Sequence, residues 1–133
     1  MRVVFDTNVF IAAFVSDGVC ARLLRRARRR EFELFIYQIV LHEFSSRLKV
    51  KFHCTTNEIE QACLLISETA IAILAEGTLQ TPVCHDLDDD LILACAETAD
   101  AEYLVTGDKD LLVLERYGRS KILSPRDFEL MFE

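Results

Sequence analysis

The hydrophobic residues of the chain fall into short unbroken runs and longer stretches where they recur every three or four positions. The short runs are rich in β-branched and aromatic residues, which is typical of strands buried on both faces. They cover Val3 to Phe5, Phe32 to Tyr37, Glu102 to Thr106 and Lys121 to Leu123. The longer stretches predict amphipathic helices. Strands that alternate with helices predict an α/β fold, a three-layer α/β/α sandwich with a mostly parallel central sheet.

Capping and breaking residues set the limits of the predicted helices. The helices cover Val9 to Val15, Asp17 or Gly18 to about Arg30, Gln38 to Lys51, Thr55 or Thr56 to Gly77, about Asp90 to Ala99, a short turn from Asp108 to Leu114, and a last helix from Ser124-Pro125. Leu79 to Cys84, which contains Pro82, is predicted to be a weak strand or an extended segment. No repeat or linker divides the sequence, so residues 1–133 are predicted to form a single domain.

Composition favours a folded cytoplasmic protein. The 133 residues are 51% hydrophobic, which excludes a disordered chain and allows a sizeable core. No apolar run reaches membrane-spanning length, and Asp6 interrupts the run that could pass for a signal peptide. We therefore expect a cytoplasmic location and no membrane partner. Five cysteines without a CxxC pair argue against a disulfide framework and a structural zinc site.

Charge is distributed unevenly along the chain. The net charge of −7 argues against indiscriminate coating of nucleic acid. Six arginines nevertheless lie within nine residues of the second predicted helix: Arg22, Arg25, Arg26, Arg28, Arg29 and Arg30. A solvated helix surface explains them as well as a ridge for RNA or a partner protein does. If the ridge exists, Arg22, Arg25, Arg26 and Arg29 are its candidate contacts.

Four acidic residues are expected at one edge of the predicted sheet. Asp6 and Asp108 follow buried strands, while Glu43 and Asp90 lie in early turns of helices that begin at the same edge. Each acid alone has an ordinary explanation, as a helix cap or a solvated surface residue. Together they predict a pocket suited to Mg²⁺ or Mn²⁺, and to attack of a metal-activated water on a phosphodiester.

The third acid of this set comes from a run of aspartates, Asp86, Asp88, Asp89 and Asp90. Packed carboxylates repel one another unless a cation compensates, so four exceed what helix capping requires. Asp90 precedes the apolar Leu-Ile-Leu-Ala run and is expected to point back toward the sheet. We therefore place Asp90 in the pocket, with Asp88 and Asp89 as alternatives.

These motifs resemble those of the PIN-domain ribonucleases. The resemblance rests on DTN at Asp6 to Asn8, the Glu43 helix, DDDLILACA around Asp90 and TGDKDL from Thr106. In length and arrangement the chain resembles the small VapC-like toxins of type II toxin–antitoxin systems, from Arg2 to Phe132. The resemblance implies an endoribonuclease whose catalytic and metal-binding residues are Asp6, Glu43, Asp90 and Asp108, with Asn8 and Thr106 as supporting groups and Asp110 as an auxiliary acid. It also implies Mg²⁺ or Mn²⁺, an RNA substrate, a cognate antitoxin protein and a homodimer.

Two other functions stay open from the sequence. In a haloacid-dehalogenase-like phosphatase, Asp6 would be the nucleophile and Gly107-Asp108 part of a magnesium-binding loop. That chemistry requires a second Asp two residues after the first, where this chain has Asn8. In a non-catalytic PIN-like module, the arginine helix would bind RNA or a partner protein without cleavage.

Overall fold

The computed structural model of the protein describes residues 1–75 and 87–133, with the backbone alone at residues 87 and 88. Its elements in chain order are β1 (Arg2–Phe5), α1 (Thr7–Val15), α2 (Val19–Arg28), β2 (Glu33–Tyr37), α3 (Gln38–Val50), α4 (Thr56–Thr69), β3 (Ala72–Leu74), α5 (Leu87–Thr98), β4 (Tyr103–Val105), α6 (Lys109–Leu112), β5 (Arg116–Tyr117), β6 (Ser120–Leu123) and α7 (Pro125–Leu130). Within the described ranges the strands form one sheet in the order β3-β2-β1-β4-β6-β5. All neighbours pair in parallel except β5 with β6. The predicted α/β fold with a mostly parallel sheet is confirmed.

The central strand β1 positions the edge where the acids are expected. Val3, Val4 and Phe5 are at most 1% exposed, because β2 and β4 pair with β1 on either side and helices flank the sheet. Phe5 is in register with Val105 of β4. The residues that follow these two strands, Asp6 and Thr106, therefore lie side by side at the carboxyl edge of the sheet.

Aromatic rings connect the sheet to the helices on which the site depends. Phe5 of β1 packs against Phe10 of α1 with ring centroids 5.5 Å apart, and Phe10 in turn contacts Phe44 of α3 at 6.3 Å. All three rings are almost fully buried. Tilted and edge-on ring pairs at these distances add favourable energy beyond area burial. This packing fixes the start of α1 and the middle of α3 relative to the end of β1.

The structure differs from the predicted elements after α4. The helix ends at Thr69, and Ala72–Leu74, part of the segment predicted to continue it to Gly77, forms the strand β3 instead. Periodicity alone could not separate a helix end from a strand in this short apolar run. The open edge of β2 decides the outcome, because β3 pairs with it in parallel and the Ile71 N–H donates to the Leu34 carbonyl. The predicted extended segment Leu79 to Cys84 lies outside the described residues.

The described helices are short. In residues 1–75 and 87–133, no single helix is long and apolar enough to cross a membrane. Only α1 and α2 taken together reach that length and composition, and they are bent by 102° relative to each other.

Candidate active site

Four carboxylates from distant parts of the chain line one pocket at the carboxyl edge of the sheet. Asp6 follows β1, Glu43 lies on α3, Asp89 lies on α5, and Asp108 follows β4 and caps α6. Parallel strands joined by helical connections bring these points to one edge. The structure thus brings together three of the predicted acids, Asp6, Glu43 and Asp108, with a fourth from the aspartate run.

Asp6 is held by hydrogen bonds on both of its carboxylate oxygens. Oδ1 accepts from the Thr7 backbone N–H at 2.7 Å, and Oδ2 accepts from the Thr106 hydroxyl at 2.8 Å. Thr106 is fully buried, and its oxygen accepts the Asp108 backbone N–H at 3.0 Å. Thr106 therefore connects the two acids that follow neighbouring strands. Asp6 also caps α1, so the capping role expected from its residue type is present in the same side chain.

Burial dominates the electrostatics of Asp6. Desolvation raises the pKa of its carboxyl group above the usual value of 3.8, and the negative charge of Asp108 acts in the same direction. The hydrogen bonds from Thr106 and Thr7, and the positive charge of Arg47, lower it by less. A carboxylate that is hard to ionise inside an acidic pocket is the situation that a bound cation relieves.

Glu43 is held by two side chains that sequence reasoning did not single out. The Thr7 hydroxyl donates to Oε1 at 3.2 Å, and Nη2 of Arg47 donates to Oε2 at 3.1 Å. Nη1 of Arg47 also donates to Oδ1 of Asn8 at 2.6 Å. Asn8, which the resemblance gives as a supporting group, therefore contacts Arg47. The missed signal for Arg47 was its spacing, since residues four apart on a helix share a face.

The aspartate run contributes Asp89 to the pocket. Asp90, which the sequence predicts there, is not among the residues that line it. Asp89, Ile92 and Cys95 all line the pocket and are spaced by three residues, which places them on one face of α5. We therefore replace Asp90 with Asp89 in the proposed ligand set.

Asp90 lies about 100° further round the helix than Asp89, as adjacent helical residues do. Asp90 is 7% exposed. It lies near Tyr117 of β5, because desolvation first, and then the negative charges of Glu97 and Asp90, raise the pKa of Tyr117. Of the other two aspartates in the run, Asp86 lies outside the described residues and the side chain of Asp88 is not described.

The predicted auxiliary acid, Asp110, lies beside the pocket. One carboxylate oxygen from each of Asp89, Asp108 and Asp110 lies within 4.8 Å of the others. Two oxygen ligands of one Mg²⁺ or Ca²⁺ ion are separated by at most about 4 to 5 Å, given metal–oxygen bonds of about 2.0 to 2.6 Å. A set of carboxylate oxygens, without His or Cys sulfur in that group, is the ligand set of a hard divalent cation. The residues present therefore fit such an ion.

The arginine-rich helix lies away from this pocket. The Arg26 side chain donates to Glu129 and Glu31, and Arg29 donates to Glu31. After α2 the chain enters β2 at its amino end, which is opposite the edge that carries Asp6. No arginine of α2 is among the residues that line the pocket. Arg22 and Arg25 are exposed, so a role for Arg22, Arg25, Arg26 and Arg29 in binding RNA or a partner stays a prediction.

Comparison of the chain with known protein families identifies the family to which it belongs. The PIN domain family model matches residues 2–110, most of the chain and all four pocket acids. The chain belongs to the PIN domain family. PIN domains are nucleases that use a divalent metal, in agreement with the carboxylate pocket and with the resemblance found in the sequence.

Two individual proteins are also similar to this PIN domain chain. The uncharacterized protein MJ1680 of Methanocaldococcus jannaschii is 27% identical, and the alignment covers 100% of this chain and 92% of that protein. A crystal structure of VapBC2 from Rickettsia felis, bound to a DNA fragment from its promoter, contains a chain with the same fold. Its TM-score is 0.60 at 17% identity, and the match covers 93% of this chain and 98% of that one.

Proposed function

We propose that this PIN domain is a metal-dependent endoribonuclease that hydrolyses phosphodiester bonds of RNA, and that it acts as the toxin of a toxin–antitoxin pair. The observation that carries the proposal is the convergence of Asp6, Glu43, Asp89 and Asp108 on one pocket. Nothing in the packing of the sheet requires four acids there. Their mutual repulsion is a disadvantage for folding that a dication at this position removes.

The residues have distinct roles in the proposed reaction. Asp6, Asp89 and Asp108 would hold Mg²⁺ or Mn²⁺, with Glu43 lining the same pocket and Asp110 close to Asp89 and Asp108. When bound, such an ion supplies an activated water and compensates charge on the leaving oxygen. Thr106 fixes the Asp6 carboxylate, and Thr7 fixes Glu43, so the ligand oxygens are oriented before the ion arrives.

The expected partners are an antitoxin protein and a second copy of the chain. The Rickettsia felis neighbour is named as a VapBC2 assembly on promoter DNA, which supports a cognate antitoxin for this chain. A homodimer, a single-domain organisation over residues 1–133 and a cytoplasmic location are proposed from the family resemblance and composition.

Two alternatives make different predictions for the same experiment. A phosphatase that uses Asp6 as nucleophile would release inorganic phosphate from small monoesters. Against it, the second residue after Asp6 is Asn8, whose amide contacts Arg47 and has no acidic proton to give. A non-catalytic module would bind RNA and leave it intact, and would not depend on the metal.

The test is cleavage of end-labelled single-stranded RNA with Mg²⁺, with Mn²⁺ and with EDTA. We expect the wild type to cleave only with metal, Asp6→Asn to be inactive, and the exposed-surface control Glu97→Gln to match the wild type. Phosphate release from a small monoester is measured in parallel. RNA left intact by the wild type with either metal, or cleavage by Asp6→Asn at the wild-type rate, would contradict the proposal.

A further inference from the structure

Arg47 is the charged residue of the pocket that the metal-binding role leaves unexplained. Among the described residues that line the pocket, it alone carries a positive charge. It lies one helical turn after Glu43 on α3, and its side chain is 29% exposed. A cation at the wall of an acidic pocket weakens metal binding through repulsion, so its presence calls for a role that metal ligation does not supply.

The charge of the pocket creates a difficulty for an RNA substrate. The four carboxylates carry four negative charges, and one divalent ion offsets half of them. An RNA phosphate brings a further negative charge to the same place. A fixed positive group at the wall therefore favours substrate binding in a way that carboxylates and a single dication do not.

The guanidinium of Arg47 is arranged to accept a further anion. It has five N–H donors, and two of them bond to Asn8 and Glu43. The other donors have no partner in residues 1–75 and 89–133. The two existing bonds fix the plane of the group, so little conformational freedom is lost when a phosphate binds the remaining donors. A planar fork of donors pairs with two phosphate oxygens at once.

No other arginine is among the described residues that line the pocket. Arg26 and Arg29 are bonded to glutamates at the opposite edge of the sheet, and Arg25 contacts Asp17. Arg119 at the turn before β6 is bonded to both oxygens of Asp100. Arg119 thus resembles Arg47 in being tied to a carboxylate, but it does not line the pocket, which makes it a matched control.

We propose that Arg47 contacts a phosphate of the bound RNA, held in position for that contact by Asn8 and Glu43. The proposal rests on the proposed function, because it assumes that RNA is the substrate. It assigns to Arg47 a role in substrate binding that is separate from metal binding. The alternative is that Arg47 only holds Glu43 in place for the metal.

Two binding measurements separate these roles. The first is the affinity of labelled single-stranded RNA at several salt concentrations in EDTA, where no metal-dependent cleavage occurs. A lost phosphate contact should weaken binding and reduce the slope of log affinity against log salt by about 0.7. The second is the affinity for Mn²⁺ without RNA, by calorimetry.

For Arg47→Gln we expect RNA affinity about tenfold lower with the reduced salt slope, KM for cleavage raised, and Mn²⁺ affinity equal to or above that of the wild type. Arg47→Lys should recover part of the RNA affinity, since it keeps the charge and loses the fork. Arg119→Gln should match the wild type in every readout. Melting curves identify any variant that fails to fold, and Arg47→Lys then carries the test.

Other outcomes overturn the assignment. Unchanged RNA affinity and salt slope, or Mn²⁺ affinity more than about threefold weaker, would mean that Arg47 serves Glu43 and not the substrate. A wild type that cleaves RNA while Arg47→Gln behaves identically refutes this inference alone. A wild type that neither binds nor cleaves RNA refutes the proposed function, and the role of Arg47 with it.

Discussion

Two groups of carboxylates in this molecule are in opposite situations. Next to α2, Glu129 is 3% exposed and accepts two hydrogen bonds from Arg26, which also binds Glu31 and stacks over the Phe132 ring. Among the described residues that line the pocket, four carboxylates occur with one positively charged side chain, Arg47. The first group has its positive charges built into the protein. In the second, the arginine pair that the described residues show is that of Glu43 with Arg47.

The pKa shifts differ in the same way. The hydrogen bonds of Arg29 and Arg26 lower the pKa of Glu31 below its usual 4.5, whereas burial raises the pKa of Asp6 above 3.8. The paired carboxylate of Glu31 is thus stabilised in its charged form by the fold alone. An acid whose ionisation the fold disfavours, next to other acids, indicates a site completed by something outside the chain.

The same substitution in the two groups should have opposite consequences. Glu43→Gln should lower the rate of RNA cleavage by at least about 100-fold, since loss of an outer-shell partner alone reduces metal affinity or activity by about 10 to 100-fold. Its melting temperature without metal should stay near that of the wild type, because the amide oxygen still accepts a hydrogen bond and a repulsive charge is gone. Cleavage rates and melting curves check both parts. Retained activity would remove Glu43 from the site.

Glu129→Gln should affect stability instead. Replacing a charge-assisted hydrogen bond by a neutral one should lower the melting temperature by about 4 °C. Cleavage per folded molecule should be unchanged, because Glu129 lies away from the pocket. Substitution of the exposed Glu133 by Gln serves as control for the loss of a charge. A Glu129 variant that melts like the wild type would show that the Arg26 pairs contribute little to stability.

Metal should stabilise the protein through the pocket alone. Mn²⁺ at 100 times its dissociation constant should add about 2.7 kcal/mol to the free energy of unfolding. The increment should persist in Glu129→Gln and shrink in Asp89→Asn. Thermal melts over a series of Mn²⁺ concentrations measure it. An equal increment in both variants would place the ion somewhere else.

The smallest expected effect is on the pH dependence of stability without metal. For Asp6 the folded protein holds the proton to higher pH than the unfolded chain does, so its contribution to stability falls as pH rises from 3.8 through the raised pKa. For Glu31 the folded protein releases the proton first, so its contribution is present above pH 4.5 and is lost as pH falls through the lowered pKa. In EDTA at neutral pH, Asp6→Asn should therefore raise the free energy of unfolding and Glu31→Gln should lower it, as measured by denaturant unfolding curves. A change of the same sign in the free energy of unfolding of both variants would contradict the difference between the two groups of carboxylates.

The sequence predicts most of the fold because the decisive signals are local. Runs such as Val3 to Phe5 identify strands. In a parallel sheet, acids that directly follow such strands lie at one edge, so their position can be predicted from the order of the elements. The error at β3 has a tertiary cause, since only the open edge of β2 turns that short apolar run into a strand. A hydrogen-bonded edge is not visible in the periodicity of the segment that joins it.

The pocket is lined by Asp89 where the sequence predicts Asp90, and the difference has a geometric reason. The sequence starts the helix at about Asp90, whereas α5 begins at Leu87, and one residue of helix changes direction by about 100°. The contacts of Thr7 with Glu43 and of Arg47 with Asn8 were missed because only the folded site brings these side chains together.

The central claim is that carboxylates distant in the chain form one divalent-cation site, with Asp89 as the member from α5. Calorimetric titration of metal-free protein with Mn²⁺ tests it most directly, on the wild type, Asp89→Asn and Asp90→Asn. We expect saturable binding by the wild type, its loss in Asp89→Asn and its retention in Asp90→Asn. A wild type that binds no Mn²⁺ would contradict the claim, and loss in Asp90→Asn alone would return the ligand role to Asp90.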